Sequence, residues 1–237
     1  MKLSNKAISS EKKSFVRRMF NDIHGNYDFI NTVLSFGMDR RWRNLVIRDF
    51  SGKALVADLC GGGGQLSKML LGKKDFSGTV IIVDLSINMI AAGKRNFSSN
   101  FANRAICVVA DAEFLPFKNF VFDGAMSAFC LRNLSDLQLF TVEARRVLRR
   151  GGMARHLEIA HPGNKLIRTL FEFYFYRVTP FVSMALGGKK YAYKYLPASL
   201  KIFPEQSQVC DILGNGWKKA SFKNLLGGMA AVYKLDS

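Results

Sequence analysis

The segment Asp58-Leu59-Cys60-Gly61-Gly62-Gly63-Gly64 places one carboxylate just before four consecutive glycines. Glycine lacks a Cβ, so such a run can take positive φ angles, bring backbone N–H groups against a ligand and open into a helix N-terminus. That chemistry suits a nucleotide-type cofactor, although dinucleotide-binding proteins use the same device and the run alone does not choose among them. Two more acidic sites follow, Asp84 and the triplet Asp111-Ala112-Glu113. Asp84 stands about twenty residues beyond the glycines, where a carboxylate can accept both hydroxyls of a ribose; this fits NAD and S-adenosylmethionine alike. Asp111-Ala112-Glu113 would flank an adenine, with Asp111 accepting from its exocyclic amine, and this third site favours S-adenosylmethionine. Each acid taken singly reads equally well as a helix cap or a loop carboxylate.

Strands must place these acids. Ala54 to Leu59 is a short apolar run ending at an acid and then glycines, as a buried parallel strand enters a turn. Thr79 to Asp84 is a second β-rich run, Ala105 to Ala110 a third that meets Asp111, Phe122 to Phe129 a fourth and Met153 to Ile159 a fifth. Helical spacing over Gln65 to Leu71, from an N-cap at Ser86 to about Phe97, and over Leu137 to Leu148, closed by Gly151-Gly152, separates them. Strands and helices alternating in this way predict an α/β fold with an open parallel sheet, whose ligands bind at the carboxyl ends of the strands. Ser14 to Phe50 reads as helices ahead of the sheet, and Trp217 to Asn224 with Met229 to Leu235 as a terminal hairpin. An aromatic, helical insertion carrying Phe171, Phe173, Tyr174, Phe175, Tyr176 and Phe181 follows Pro162. The expected division of this single domain is a helical cap over 1–50, a cofactor-binding core over 51–161, a lid over 162–210 and closing strands over 211–237.

Composition limits the alternatives. At 237 residues, 49% hydrophobic and 22% charged, the chain can build one well-buried domain. No apolar stretch reaches the ~18 residues of a bilayer span, and no signal-peptide core is read near the start. The four cysteines and three histidines show no metal-ligand spacing, so no metal is expected. The 35 basic and 18 acidic residues give a net charge of +17, which would attract nucleic acid or an anionic membrane, or serve as a solvated surface. Its basic clusters include Lys12-Lys13, Arg17-Arg18, Arg40-Arg41 and Lys189-Lys190.

More particular strings run in order from about Phe15 to Tyr233. They are Tyr27-Asp28-x-x-Asn31, Leu34-Ser35-Phe36-Gly37-Met38-Asp39-Arg40-Arg41-Trp42-Arg43, Asp111-Ala112-Glu113-Phe114-Leu115-Pro116-Phe117, Leu131-Arg132-Asn133, Tyr195-Leu196-Pro197 and Phe203-Pro204. Together they resemble the UbiE/COQ5 family of quinone C-methyltransferases. The resemblance implies a class I S-adenosylmethionine-dependent methyltransferase fold: a Rossmann-like, seven-stranded, mostly parallel sheet with a C-terminal antiparallel hairpin. It implies S-adenosylmethionine as cofactor, held by Asp58, Gly61, Gly62, Gly63, Gly64, Asp84, Leu85, Met89, Asp111, Ala112, Glu113 and Ala128. It further implies methyl transfer to a ring carbon of a prenylated hydroquinone such as demethylmenaquinol, with Arg132, Asn133 and Tyr27 acting on a water near the substrate. Without the resemblance Arg132 reads as a loop ion-pair partner and Tyr27 as a packed aromatic.

The chain departs from the family pattern at Gly63, where threonine is usual, Gln65 for aspartate, Ala128 for serine and Cys130 for glycine. Arg155-His156 stand in the fifth strand where an apolar pair is expected. The expected partners are the prenylated quinone, an anionic membrane surface on the inner face of the membrane, and a second copy of the chain as a homodimer; nucleic acid is not expected. A methyltransferase of another small molecule or of RNA, and a cofactor-binding protein that has lost catalysis, are the competing readings. A cytoplasmic location follows.

Overall fold

The computed structural model describes residues 5–25, 27–97, 101 and 103–237, which leaves Asn26, just ahead of the Tyr27-Asp28-x-x-Asn31 string, outside the described residues. Seven strands form one sheet: β1 (Leu55–Leu59), β2 (Thr79–Asp84), β3 (Ala105–Val109), β4 (Phe122–Ala128), β5 (Leu148–Ile159), β6 (Lys219–Leu225) and β7 (Ala230–Asp236). Their order is β3-β2-β1-β4-β5-β7-β6, parallel from β3 to β5, with β7 antiparallel to both β5 and β6. Helices α4 (Gln65–Leu71), α5 (Ile87–Asn96) and α6 (Leu137–Val147) connect the parallel strands. The expected architecture is therefore present. Successive connections leave β1 toward β2 and then return to β4 on its other side, which opens a crevice at the carboxyl ends of these strands.

The strands form where the chain is apolar on both faces. Val56, Ala57 and Leu59 in β1, and Val80, Ile82 and Val83 in β2, are buried, because helices cover the two sides of a parallel sheet. β6 is the opposite case, an edge strand whose exposed Lys219 and Lys223 discourage pairing with another chain.

β5 departs from expectation. It begins at Leu148 rather than Met153, since Leu148 already pairs with Phe122 before the register shifts and resumes at Gly124 and Met153. Gly151, at φ 74°, lies in that irregular stretch, so Gly151-Gly152 interrupts a strand instead of closing a helix. The basic pair within β5 is structural. The Arg155 guanidinium donates from Nε to Asp49 Oδ2 at 2.7 Å, from Nη2 to Asp236 Oδ1 at 2.8 Å, and from Nη1 to the Ala154 and Leu235 carbonyls. His156, on the next residue and hence the other face, is fully buried with Nδ1 2.8 Å from Ser127 Oγ and its ring edge-on to Phe140. Burial, reinforced by the Arg155 charge, pulls its pKa down to about 3, so it sits in the core as a neutral ring.

Ahead of the sheet lie α1 (Asn5–Ile23), α2 (Tyr27–Leu34) and α3 (Met38–Ile47). After β5 the insertion folds as α7 (Lys165–Phe173), a π-helical turn over Tyr174–Val178, α8 (Thr179–Ala185), α9 (Lys190–Lys201) and α10 (Gln206–Gly214). Apart from the two core layers flanking the sheet, Met19, Ile30, Ala192 and Tyr193 pack into a small third cluster. That cluster fastens α9 of the insertion to α1 and α2.

Candidate active site

The glycine loop is bent by necessity. Gly62 has φ 54° and Gly64 φ 76°; Gly64 caps α4 from the left-handed region. A Cβ on Gly61 would come within 2.7 Å of Ile82 Cγ2, and one on Gly62 within 2.9 Å of Met89 Cε. The Gly62 N–H donates to Asp84 Oδ2 at 2.9 Å and the Ser86 N–H to Asp84 Oδ1 at 2.8 Å, so the carboxylate at the tip of β2 is held against the loop. Burial raises the Asp84 pKa to about 6 against the opposing pull of these N–H donors.

A cleft of about 100 Å³ opens here, with Gly61, Gly62, Gly63, Asp84, Leu85, Met89, Asp111, Ala112, Glu113 and Ala128 in its walls together with Tyr27 and Asn133. Asp58, Gly64 and Arg132 do not line it. The Asp58 carboxylate is buried beneath the loop and accepts from the Ser67 N–H at 3.2 Å and hydroxyl at 2.6 Å, pinning the start of α4. Burial raises its pKa also, to about 6.

The third acid site is shared with a lysine that sequence reasoning placed only in a surface cluster. Lys13 Nζ, reaching down from α1, lies 2.6 Å from Asp111 Oδ2 and 2.8 Å from Glu113 Oε2. Buried Glu113 turns its other oxygen to the Ser135 and Asp136 N–H groups at 2.6 and 3.2 Å, organising the loop after β4. Lys12 Nζ adds bonds to the Arg132 and Leu134 carbonyls. α1 thus lies across the cleft, with Lys13, Val16 and Phe20 in its outer wall.

Arg132 and Asn133 sit on a 3-10 turn directly beyond β4. The turn follows Phe129, whose φ of 61° is rare for an aromatic residue and aims its carbonyl at both side chains, which donate to it at 3.1 Å (Arg132 Nη1) and 3.2 Å (Asn133 Nδ2). Glu158 of β5, wholly buried, completes the arrangement. It accepts from Arg132 Nη1 at 2.5 Å and from the Arg132 backbone N–H at 3.1 Å. Glu158 was missed as a functional residue; the signal available was an acid near the carboxyl end of a strand, two residues beyond the basic pair Arg155-His156. Arg132 Nε and Asn133 Oδ1 remain buried without hydrogen-bond partners among the described residues. Tyr27, at the first residue of α2, packs edge-on to Phe20. Burial raises its phenol pKa, opposed by the Arg132 charge and by a hydrogen bond with Asn31.

A second cavity, of about 260 Å³, lies on the far side of Tyr27 and Phe129. Leu34, Met38, Trp42, Ile159, Phe171, Phe175, Leu196 and Met229 give it an apolar lining, and Arg132 also lines it. Tyr27 and Phe129 line both spaces. Phe36 in the turn between α2 and α3, and Leu170, Phe173 and Phe181 on the helices of the insertion, stand exposed around this cavity. Among the described residues, no helix is long and apolar enough to cross a membrane.

Comparison with known proteins identifies the family and the fold. The family model described as the ubiE/COQ5 methyltransferase family matches residues 6–235. A ubiquinone/menaquinone biosynthesis C-methyltransferase UbiE of Geotalea uraniireducens is 35% identical over 228 residues, 94% of this chain and 97% of that protein. A demethylmenaquinone methyltransferase of Desulfitobacterium hafniense is 33% identical over 227 residues, 94% of this chain and 89% of that protein. Among solved structures, an S-adenosylmethionine-dependent methyltransferase of Thermotoga maritima superposes with a TM-score of 0.62 at 14% identity, over 93% of this chain and 99% of that one. At that identity the likeness concerns the fold.

Proposed function

This chain belongs to the ubiE/COQ5 methyltransferase family, and from that premise we propose that it methylates a ring carbon of a prenylated hydroquinone such as demethylmenaquinol. Its cofactor is S-adenosylmethionine. The observation that carries the substrate reading is the pair of adjoining spaces, one bearing the glycine loop and the acids and one apolar, which share Tyr27 and Phe129 as walls, with Arg132 lining the apolar one.

The cleft suits the cofactor. Asp84 at a strand end can accept from ribose hydroxyls, and the close approach of Gly61 and Gly62 leaves no room for a Cβ where a ligand would meet backbone. Met89, Leu85, Ala112 and Ala128 would pack on the apolar parts, with Asp111 accepting from the adenine amine in exchange for part of its pairing to Lys13. Bound there, S-adenosylmethionine supplies an electrophilic methyl group on sulfur.

The chain's own residues must make the ring carbon nucleophilic. A phenol ring carbon attacks well only once a neighbouring hydroxyl has lost its proton, and a cation nearby stabilises the resulting oxyanion. Arg132 supplies that cation, and Glu158 orients it while offsetting part of its charge. Asn133 Oδ1, buried with no partner among the described residues, and the Tyr27 hydroxyl would hold the water that carries the proton away. The aromatic walls exclude other water and fix the ring relative to the cleft. In this reading 1–50 and 162–210 act as cap and lid of one catalytic domain, with the isoprenoid tail in the apolar cavity. The exposed aromatics beside basic Arg40, Arg41, Lys189 and Lys190 would set that lid on the anionic inner face of a membrane.

The test is turnover of demethylmenaquinol and of a prenylated benzoquinol by the purified chain with labelled S-adenosylmethionine. C-methylated product from either ring supports the proposal; binding of the cofactor with no methylation of either would overturn it.

A further inference from the structure

The cleft has a third region, beyond the nucleoside end marked by Asp84 and Asp111. Arg43 on α3 reaches its wall beside Gly61 and Gly63 and is only 7% exposed. Its guanidinium lies over the Phe129 ring at 5.1 Å from the centroid, and Nε stands 3.6 Å from Asp39 Oδ2, too far for a hydrogen bond. Nε is buried with no hydrogen-bond partner among the described residues. Arg132 Nε also lacks a partner, but its Nη1 pairs with Glu158 at 2.5 Å, and Arg155 pairs with Asp49 and Asp236 at 2.7 and 2.8 Å, whereas Arg43 stands no nearer than 3.6 Å to its paired carboxylate. A desolvated guanidinium N–H lacking an acceptor is costly, and an anion arriving in the cleft relieves that cost.

A carboxylate faces the same end. Asp28 Oδ2 accepts from Gln65 Nε2 at 3.1 Å, and a Cβ placed on Gly63 would come within 2.9 Å of it. The glycine at 63 is therefore what lets Asp28 press against the loop. Gln65, where the family pattern has an acid, donates to Asp28 rather than adding a second negative charge. The result is one guanidinium and one carboxylate flanking a glycine loop, the complement of a zwitterionic α-amino acid.

We propose that Arg43 and Asp28 bind the α-carboxylate and the α-amino group of the cofactor's methionyl end, with Gln65 positioning Asp28. The departures at Gly63 and Gln65 then act together, moving recognition of the amine from residue 65 to residue 28. The inference rests on the cofactor reading above. Arg43 also borders an outer groove with Arg40 and Lys68, and an anion held only there is the competing occupant.

Calorimetry on the full chain separates these ideas using S-adenosylhomocysteine, its α-decarboxylated analogue, which keeps the amine, and 5′-methylthioadenosine, which lacks both groups. Arg43→Met should weaken S-adenosylhomocysteine binding about 10- to 100-fold and leave the other two ligands within about 2-fold, as loss of a charged hydrogen bond predicts. Asp28→Asn should weaken both amine-bearing ligands about 10-fold and spare methylthioadenosine. Arg43→Lys, which keeps the charge without the planar fork, should fall between wild type and Arg43→Met. Retained methylthioadenosine binding shows that each variant is folded. Equal loss for all three ligands in both Arg43 variants, or no loss for any, overturns the assignment; wild-type protein that binds none of them overturns the cofactor reading as well.

Discussion

The cofactor cleft and the apolar cavity meet at Tyr27 and Phe129 yet are built in opposite ways. The cleft stands on strand ends: the glycine loop after β1, Asp84 closing β2 and Asp111 just past β3 lie where a parallel sheet delivers them. Its polar groups are tied to backbone N–H donors before any ligand arrives. The cavity is walled mainly by helices remote in sequence, α2, α3, α7 and α9, held together by the small cluster around Met19, Ile30 and Tyr193. A sheet edge can preserve one cofactor geometry while inserted helices change the acceptor. In this chain the junction is stiffened by a buried ion pair, Arg132 with Glu158, so that the two spaces keep a fixed relation.

Breaking that junction should have the largest effect. Arg132→Met should lower methyl transfer by about 10²- to 10³-fold, the usual consequence of removing an oxyanion-stabilising donor. Because it leaves Glu158 buried and unpaired, it should also destabilise the fold by about 3–5 kcal/mol, measurable in urea. Calorimetric S-adenosylhomocysteine affinity unchanged from wild type is expected; turnover unchanged from wild type would remove Arg132 from the chemistry.

Next comes the polar side of the comparison. Asp84→Asn should weaken cofactor binding about 10- to 100-fold, since a charged acceptor is replaced by a neutral one. Burial raises Asp84 from 3.8 to about 6, so it becomes protonated as pH falls through 6, and wild-type affinity should decline there while the variant's does not. The stability consequence has the opposite sense. A carboxyl whose folded pKa lies above its unfolded value favours folding at low pH and loses that advantage as pH rises from about 4 to 6. The ligand-free asparagine variant should therefore be more stable than wild type above pH 6, and denaturant midpoints across pH 4–8 would show the crossing.

The apolar side should respond more weakly. Leu170 is 61% exposed and also lines the cavity, so Leu170→Glu should raise KM for a long-chain substrate about tenfold, the worth of one apolar side-chain contact. A short-chain substrate and S-adenosylhomocysteine should be unaffected; equal change for both chain lengths would argue against a tail in this cavity. Smallest is Lys13→Met. Its partly exposed pairs with Asp111 and Glu113 are worth at most about 1 kcal/mol, so cofactor exchange by stopped flow should quicken by less than about fivefold.

Local pattern made the cleft legible. Apolar runs ending in acids and glycines specify buried strands entering turns, and β2 and α4 appear over the expected residues, Thr79–Asp84 and Gln65–Leu71. The cavity was legible only as an aromatic insertion, since closing it needs contacts across more than a hundred residues, as between α2 and α8 or where the Tyr174 hydroxyl bonds the Leu34 carbonyl. The early start of β5 was hidden for a related reason: glycine signals a break without saying whether a helix ends or a strand bends.

What the amino-acid sequence determined by itself was therefore the order of strands and helices and the positions of the acids at strand ends, because these depend on periodicity and turn chemistry within short windows. Tertiary structure decided which charges are spent on the fold and which face a ligand. Asp58 turns beneath the loop to Ser67, and Lys13 descends onto Asp111. Arg155 goes to Asp49 and Asp236, whereas Arg43 Nε reaches no hydrogen-bond acceptor among the described residues. A two-residue strand period says that neighbours point to opposite faces; only the packed neighbours say what each will find there.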